Sequence, residues 1–100
     1  MPFKSENKLY FKRAWNDTRG DNYDYWGTSI WYFETEKNGV VIRQIEVYEN
    51  GPSTKYCMAN KKDKYGELSW YPLDLVNFQS FKIKKIEFER VWITVNKENY

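Results

Sequence analysis

Histidine is absent from the 100 residues of this chain, and cysteine occurs once, at Cys57. Without histidine the chain lacks the commonest general base and metal ligand, so no serine–histidine or cysteine–histidine pair and no zinc site of cysteine and histidine can form. A single cysteine cannot form an intramolecular disulfide, and we expect a packed, unreactive thiol. Glycine-rich phosphate-binding motifs are also missing. We therefore expect a protein that is not an enzyme and that holds no metal and no cofactor.

Long apolar stretches and an excess of one charge are missing as well. No run approaches the roughly 20 apolar residues of a membrane-spanning helix, and the first residues lack the apolar segment of a signal peptide. We expect a cytoplasmic protein with no membrane partner. The net charge is only +2, from 16 basic and 14 acidic residues, which does not by itself indicate nucleic acid. The length predicts a single domain over residues 1–100, with residues 1–7 frayed.

Aromatic residues are abundant, at 20% of the chain. The stretch from Ser29 to Glu49 is rich in aromatic and β-branched residues, which predicts two long strands joined at the turn Lys37-Asn38-Gly39. We expect the rest of the chain to extend this hairpin or to pack on it.

Two turn geometries are open for the hairpin. A two-residue turn would place Glu34 opposite Arg43 as an ion pair, but it would put Trp31 and Phe33 on the face that carries Gln44 and Glu46. A three-residue turn, with Gly39 left-handed, shifts the pairing by one residue. Trp31 and Phe33 would then share a face with Arg43, Ile45 and Val47, and the opposite face would carry Tyr32, Glu34, Ile42, Gln44, Glu46 and Tyr48. We prefer the second register because it separates apolar from polar side chains better.

The remaining segments predict the other elements of the fold. Alternating apolar residues indicate strands at 8–15 and 54–59 and a further short strand at 67–71. Turn-forming residues indicate a long loop at 16–27 and turns at 49–52 and 60–66. Phe88, Val91, Trp92 and Val95 recur at helical spacing, which predicts a helix at about 84–96, and a helical turn could precede it at 73–78. The predicted fold class is α+β, an antiparallel β-meander of four to five strands with a C-terminal helix packed on the face of Trp31, Phe33, Ile45 and Val47.

A pattern of residues resembles a family of small bacterial α+β domains, which are similar to immunity proteins of polymorphic-toxin and contact-dependent inhibition systems. The resemblance covers about residues 28–95 and rests on Trp31-Tyr32-x-Glu34, Arg43-x-Ile45-Glu46-Val47-Tyr48-x-x-Gly51, Tyr56, Tyr65-Gly66-x-Leu68, Pro72, Phe81-x-Ile83 and Glu87-Phe88-Glu89-x-x-Trp92. It supports the C-terminal helix, and it implies an intracellular immunity protein that binds and neutralises a cognate protein toxin, with a nuclease as one candidate.

A protein of this kind needs a complementary surface and no catalytic group. Tyrosine and tryptophan are typical interface anchors, and acids around them could imitate nucleic acid. The candidate partner-binding residues are Asp21, Tyr23, Asp24, Tyr25 and Trp26 in the long loop, and Tyr32, Glu34, Gln44, Glu46 and Tyr48 on the polar sheet face. Alternatively, Tyr25 and Trp26 cover one end of the core, and the sheet tyrosines are ordinary cross-strand partners.

The alternative function is a small nucleic-acid-binding module. Strand aromatics would stack on bases, and Lys61, Lys62, Lys64, Lys82, Lys84 and Lys85 would contact phosphates. Glu34 and Glu46 count against this, because they would repel a phosphate backbone. The sequence leaves open whether the protein is a monomer or a homodimer that pairs through a sheet edge.

Overall fold

Within residues 8–95, four antiparallel strands form a single sheet in which each strand pairs with its neighbour in the sequence. A computed structural model describes residues 8–95 of the protein. The strands are β1 (Leu9–Trp15), β2 (Ser29–Thr35), β3 (Val41–Tyr48) and β4 (Thr54–Cys57), and the helices are α1 (Leu75–Phe78) and α2 (Lys85–Thr94). Single 3-10 turns occur at Asp24–Trp26 and Gln79–Phe81. The predicted α+β class, with an antiparallel meander and a C-terminal helix, is confirmed.

The fifth strand predicted at 67–71 is wrong, because the segment makes only a single bridge, from Glu67 to Lys62. The amide of Ser69 donates instead to the side chain of Gln44, at 2.8 Å. The predictions for residues 1–7 and for Asn96 lie outside the described residues. No helix within residues 8–95 combines the length and the apolar character needed to cross a bilayer.

The β2–β3 hairpin combines features of both turn geometries. Its loop is the three-residue turn, because Gly39 has a φ of 91° and the amide of Glu36 donates to the carbonyl of Val40 at 2.9 Å. Ile42 then forms a bulge in β3, so that Thr35 pairs with Val41 but Glu34 pairs with Arg43. The bulge reverses the one-residue shift that the turn introduces. The register preferred from the sequence is therefore wrong for β2, where Trp31 pairs with Glu46 and Phe33 with Gln44.

Both faces of the sheet are buried, and this explains why the register preferred from the sequence is wrong. One core lies beneath α2 and is formed by Tyr10, Tyr32, Ile45, Phe88 and Val95. The other lies on the opposite face and is formed by Phe11, Phe33, Val41, Tyr56, Leu68 and Phe78. The prediction that Trp31 and Phe33 lie beneath α2 is therefore wrong, whereas Ile45 and Val47 do lie there. The separation of apolar from polar side chains selects a register only where one face meets water.

Arg43 fastens α2 to the sheet. Its guanidinium group contacts the carboxylate of Glu34 on β2 and donates to Glu89 of α2 at 2.6 Å. The same group lies over the rings of Phe88 and Trp92, at 4.8 and 4.9 Å from their centroids. The hydroxyl of Tyr10 donates to the second oxygen of Glu34, at 2.8 Å. The charged groups beneath the helix are thus paired, as burial requires.

Candidate functional site

The predicted partner-binding residues of the long loop have different environments. Tyr25 is 71% exposed, whereas Trp26 is only 3% exposed. Trp26 packs against Tyr23, Tyr48 and Tyr65, with ring centroids 4.7 to 5.1 Å apart. Asp21 and Asp24 are exposed and Tyr23 is half-buried. Trp26 therefore closes one end of the sheet, and Tyr25 points into solvent.

The predicted residues of the sheet are buried and lie on both faces. Tyr32 and Glu34 lie on the α2 side, where Tyr32 belongs to the core and Glu34 pairs with Arg43. Gln44, Glu46 and Tyr48 lie on the opposite side. The structure divides this group because of the bulge at Ile42, which sets the register of β2 against β3. Their role in partner binding stays a prediction.

Three of the ten predicted residues line one cleft, which we call the acidic cleft. It has a volume of about 340 Å³ and opens between the long loop, the end of the sheet near Ser29 and the segment Tyr65–Glu67. The predicted residues in it are Asp21, Glu46 and Tyr48. Residues that sequence reasoning did not select complete the lining, and they include Trp15, Asp17, Arg19, Trp31 and Glu67.

Arg19 forms one wall of the acidic cleft and organises the long loop. Its guanidinium carbon lies 5.2 to 5.7 Å from the ring centroids of Tyr23, Trp26 and Tyr48. It pairs with Asp21 at 3.0 Å and donates to the carbonyl of Tyr65 at 2.6 Å. An arginine held by three rings, a carboxylate and a carbonyl links the loop to both neighbouring parts of the chain.

The two loop acids have structural contacts of their own. Asp21 accepts from the amide of Tyr23 at 2.8 Å, and Asp24 accepts from the amide of Gly20 at 2.7 Å. The hydrogen bond from Arg19 lowers the pKa of Asp21, and a hydrogen bond from Thr18 lowers that of Asp24. Both carboxylates therefore stay ionised and hold the loop in shape.

Glu46 is a buried carboxyl group at the base of the acidic cleft. It is 3% exposed. The Tyr48 hydroxyl donates to one of its oxygens at 2.5 Å, and the Gln44 amide donates to the other at 2.8 Å. Burial raises the pKa of Glu46, although both hydrogen bonds and the charge of Arg19 oppose the shift. Each oxygen keeps a second lone pair for a further donor.

Trp15 and Trp31 also line the acidic cleft, and we call this side of it the Trp15–Trp31 rim. The ring centroids of Trp15 and Trp31 lie 5.6 Å apart with an angle of 33° between the planes. The indole N–H of Trp31 donates to the Ser29 hydroxyl at 2.8 Å, which fixes the ring. Trp15 pairs with Ser29 across the β1–β2 ladder, so the two rings are diagonal neighbours. Alternation shows which residues of one strand share a face, but only the register between β1 and β2 brings Trp15 and Trp31 to the same face.

The chemistry of the acidic cleft suits a positively charged ligand. Asp17, Asp21, Glu46 and Glu67 line it, and Arg19 is the single basic residue among its lining residues. Arg19 is paired with Asp21, and Glu46 and Glu67 accept hydrogen bonds from uncharged donors, so the lining carries more negative than positive charge. Within residues 8–95, no three side chains of the types that bind metals lie close enough together to hold an ion.

An apolar groove adjoins the acidic cleft. It has a volume of about 380 Å³ and is lined by Val40, Val41, Met58, Lys61, Lys62, Glu67, Leu68, Ser69 and Trp70. Glu67 borders both depressions. The indole of Trp70 donates to the Glu67 carboxylate at 2.7 Å, yet this tryptophan is 80% exposed. The cleft and the groove therefore form one continuous surface along residues 65–70.

Comparisons with models of protein families, with curated proteins and with solved structures found no match to this chain. The resemblance to immunity proteins is therefore not tested by them and stays a prediction.

Proposed function

We propose that this protein is a protein-binding domain that neutralises a partner by covering its surface, in the manner of an immunity protein against a cognate toxin in the cytoplasm. The observation that supports the proposal best is the continuous surface formed by the acidic cleft and the apolar groove. It offers carboxylates and exposed aromatic rings, and it needs no catalytic step.

The apolar groove supports a protein partner rather than a small molecule alone. Trp70 and its neighbour Tyr71 are each 80% exposed, and Met58, which lines the apolar groove together with Trp70, is 58% exposed. Large exposed apolar side chains that lie together are typical of interaction surfaces. A hydrogen bond to Glu67 orients the Trp70 ring before any partner binds, which reduces the entropy lost on association.

The alternative of nucleic-acid binding has less support. Tyr32, Tyr48, Phe11 and Phe33 are buried, so these strand aromatics offer no stacking surface. The half-exposed rings of the cleft stand beside carboxylates, which repel phosphate. The lysines divide between the two edges of the sheet, since Lys82 bridges to the edge strand β1 and Lys61 follows the edge strand β4.

Affinity capture from the native host tests the proposal. The tagged protein is used as bait in its natural form and as two variants, Trp70→Ser and Ile93→Ser. Ile93 is a matched control, because it is 76% exposed on α2, which covers the other sheet face. We expect one stoichiometric protein with the natural form and with Ile93→Ser, and its loss with Trp70→Ser. The eluates are split between mass spectrometry and nucleic-acid staining.

A growth assay then tests neutralisation. The captured protein is produced in a heterologous host with and without this chain. We expect the partner alone to stop growth, and growth to return with the natural chain but not with Trp70→Ser. Capture of nucleic acid without a protein, or a partner that leaves growth unchanged in every combination, would contradict the immunity role.

A further inference from the structure

The acidic cleft has three features that together define a ligand. It has a volume of about 340 Å³, it carries an excess of negative charge, and two indole rings form its rim. Asp17, Asp21 and Glu67 outnumber Arg19 among the lining residues, and a cationic ligand would offset this excess of negative charge. An anionic ligand would add repulsion from Asp17 and Glu67. The ligand is therefore a cation.

The type of cation follows from the shape of the donors and rings. A guanidinium group is planar, stacks on aromatic faces and donates through several N–H groups to more than one carboxylate. The fold already places such groups on its own rings here. Arg19 lies among the rings of the cleft wall, and Arg13 lies 5.3 Å from the centroid of Trp15. An ammonium group has no planar face and stacks less well.

We infer that the acidic cleft receives an arginine side chain of the protein partner, which stacks at the Trp15–Trp31 rim and pairs with the carboxylates of Asp17, Glu46 and Glu67. This inference rests on the proposed function for the identity of the partner. The arginine specificity itself is a property of the cleft and can be measured without the partner.

Short peptides provide the probe. The peptide acetyl-Gly-Arg-Gly-amide is titrated into the full chain and followed by the indole N–H resonances of Trp15 and Trp31. Its citrulline counterpart has the same shape without the charge, and its lysine counterpart has the charge without the plane. We expect saturable shifts for arginine, with affinity about tenfold higher than for either counterpart.

Variants locate the binding to the cleft. Asp17 and Glu67 are exposed, so Asp17→Asn combined with Glu67→Gln should leave the fold intact while lowering arginine-peptide affinity about tenfold. Glu87→Gln, which removes a carboxylate on the α2 side, is the control and should leave the affinity unchanged. Absence of saturable shifts, equal binding of the citrulline peptide, or full binding by the double variant would each overturn the inference.

The two proposals fail in distinguishable ways. If the natural chain captures a partner that Trp70→Ser loses but the double variant of the cleft keeps at full affinity, the arginine inference is wrong and the protein-binding role stands. If the arginine peptide binds the cleft selectively but no protein is captured, the cleft specificity stands and the proposed function is wrong.

Discussion

Neighbouring aromatic residues of the long loop differ in what surrounds them, and single substitutions should separate them. Trp26 is enclosed by three tyrosine rings and Arg19, while Tyr25 is 71% exposed. We expect Trp26→Ala to lower the free energy of unfolding by about 3–5 kcal/mol and Tyr25→Ala to change it by less than about 0.5 kcal/mol. Urea denaturation measures both. Similar effects of the two substitutions would contradict the assignment of Trp26 to the core.

The contact between Arg43 and Glu89 should make stability depend on pH. The hydrogen bond from Arg43 holds the pKa of Glu89 below its ordinary value of 4.5. The carboxylate of Glu89 therefore binds a proton more readily in the unfolded chain than in the folded protein. The contribution of this contact to the free energy of unfolding is present above the ordinary pKa of 4.5 and is lost as the pH falls through the lowered pKa. We expect Glu89→Gln to be less stable than the natural protein at neutral pH, and the difference to shrink in acid.

Thermal denaturation at about pH 7 and about pH 3 measures this difference. Glu87→Gln is the matched control on the same helix, because its partner Lys12 lies 3.5 Å away in an exposed pair. It should change the stability little at either pH. A Glu89→Gln penalty that stays constant with pH would show that the lost contact does not depend on the charge of Glu89.

At the scale of elements, the turn at Gly39 joins the hairpin to the segment before α1. A Cβ atom at Gly39 would lie 2.6 Å from the carbonyl oxygen of Leu73, and the amide of Leu73 donates to the carbonyl of Gly39. Gly20 also has a positive φ, of 75°, but a Cβ there would meet no atom within 4 Å. We expect Gly20→Ala to cost about 1–2 kcal/mol from backbone strain alone. Gly39→Ala should cost clearly more, since the backbone of Leu73 must also move.

Chemical denaturation of the two glycine variants gives the comparison directly. Because both positions have left-handed backbones, the difference between the variants isolates the packing of the turn against Leu73. Equal costs would show that this contact adds nothing to the stability of the hairpin.

Most elements could be predicted from local patterns, and the failures have physical causes. The hairpin at residues 29–49 could be predicted because aromatic and β-branched side chains favour strands. The helix α2 could be predicted because apolar residues recur at helical spacing, at Phe88, Val91, Trp92 and Val95. The bulge at Ile42 could not be predicted, since nothing in residues 41–43 differs from an ordinary strand. Alternating residues predicted a strand at 67–71, but the amide of Ser69 donates to the Gln44 side chain, and no local pattern indicates such a partner.

At the scale of the whole molecule, the candidate site depends on contacts between distant segments. Sequence reasoning selected Asp21, Glu46 and Tyr48, because tyrosines are typical interface anchors and acids beside aromatic residues could imitate nucleic acid. It did not select Arg19 or Glu67, since their importance comes from the approach of the long loop to residues 65–67. The net charge of +2 likewise gives no indication that one cleft is lined by four acidic residues. Local charge, rather than the total, determines which partner fits.

The acidic cleft carries the carboxylates and the apolar groove carries the exposed apolar side chains. This separation predicts two kinetic effects on partner binding. Asp17 and Glu67 are exposed acids and should speed the encounter with a basic partner surface. The combined change Asp17→Asn and Glu67→Gln should lower the association rate constant and weaken its dependence on salt. Trp70 is an exposed apolar anchor, so Trp70→Ser should raise the dissociation rate constant and leave the salt dependence unchanged.

Surface plasmon resonance with the captured partner, at ionic strengths from about 0.05 to about 0.5 M, resolves the two effects. Ile93→Ser should reproduce the natural rate constants at every salt concentration, because Ile93 lies on α2 beyond the opposite face of the sheet. An association rate that does not change with salt would show that the carboxylates of the acidic cleft do not steer the encounter. Any contribution of Asp17 and Glu67 to the affinity would then lie in the dissociation rate constant.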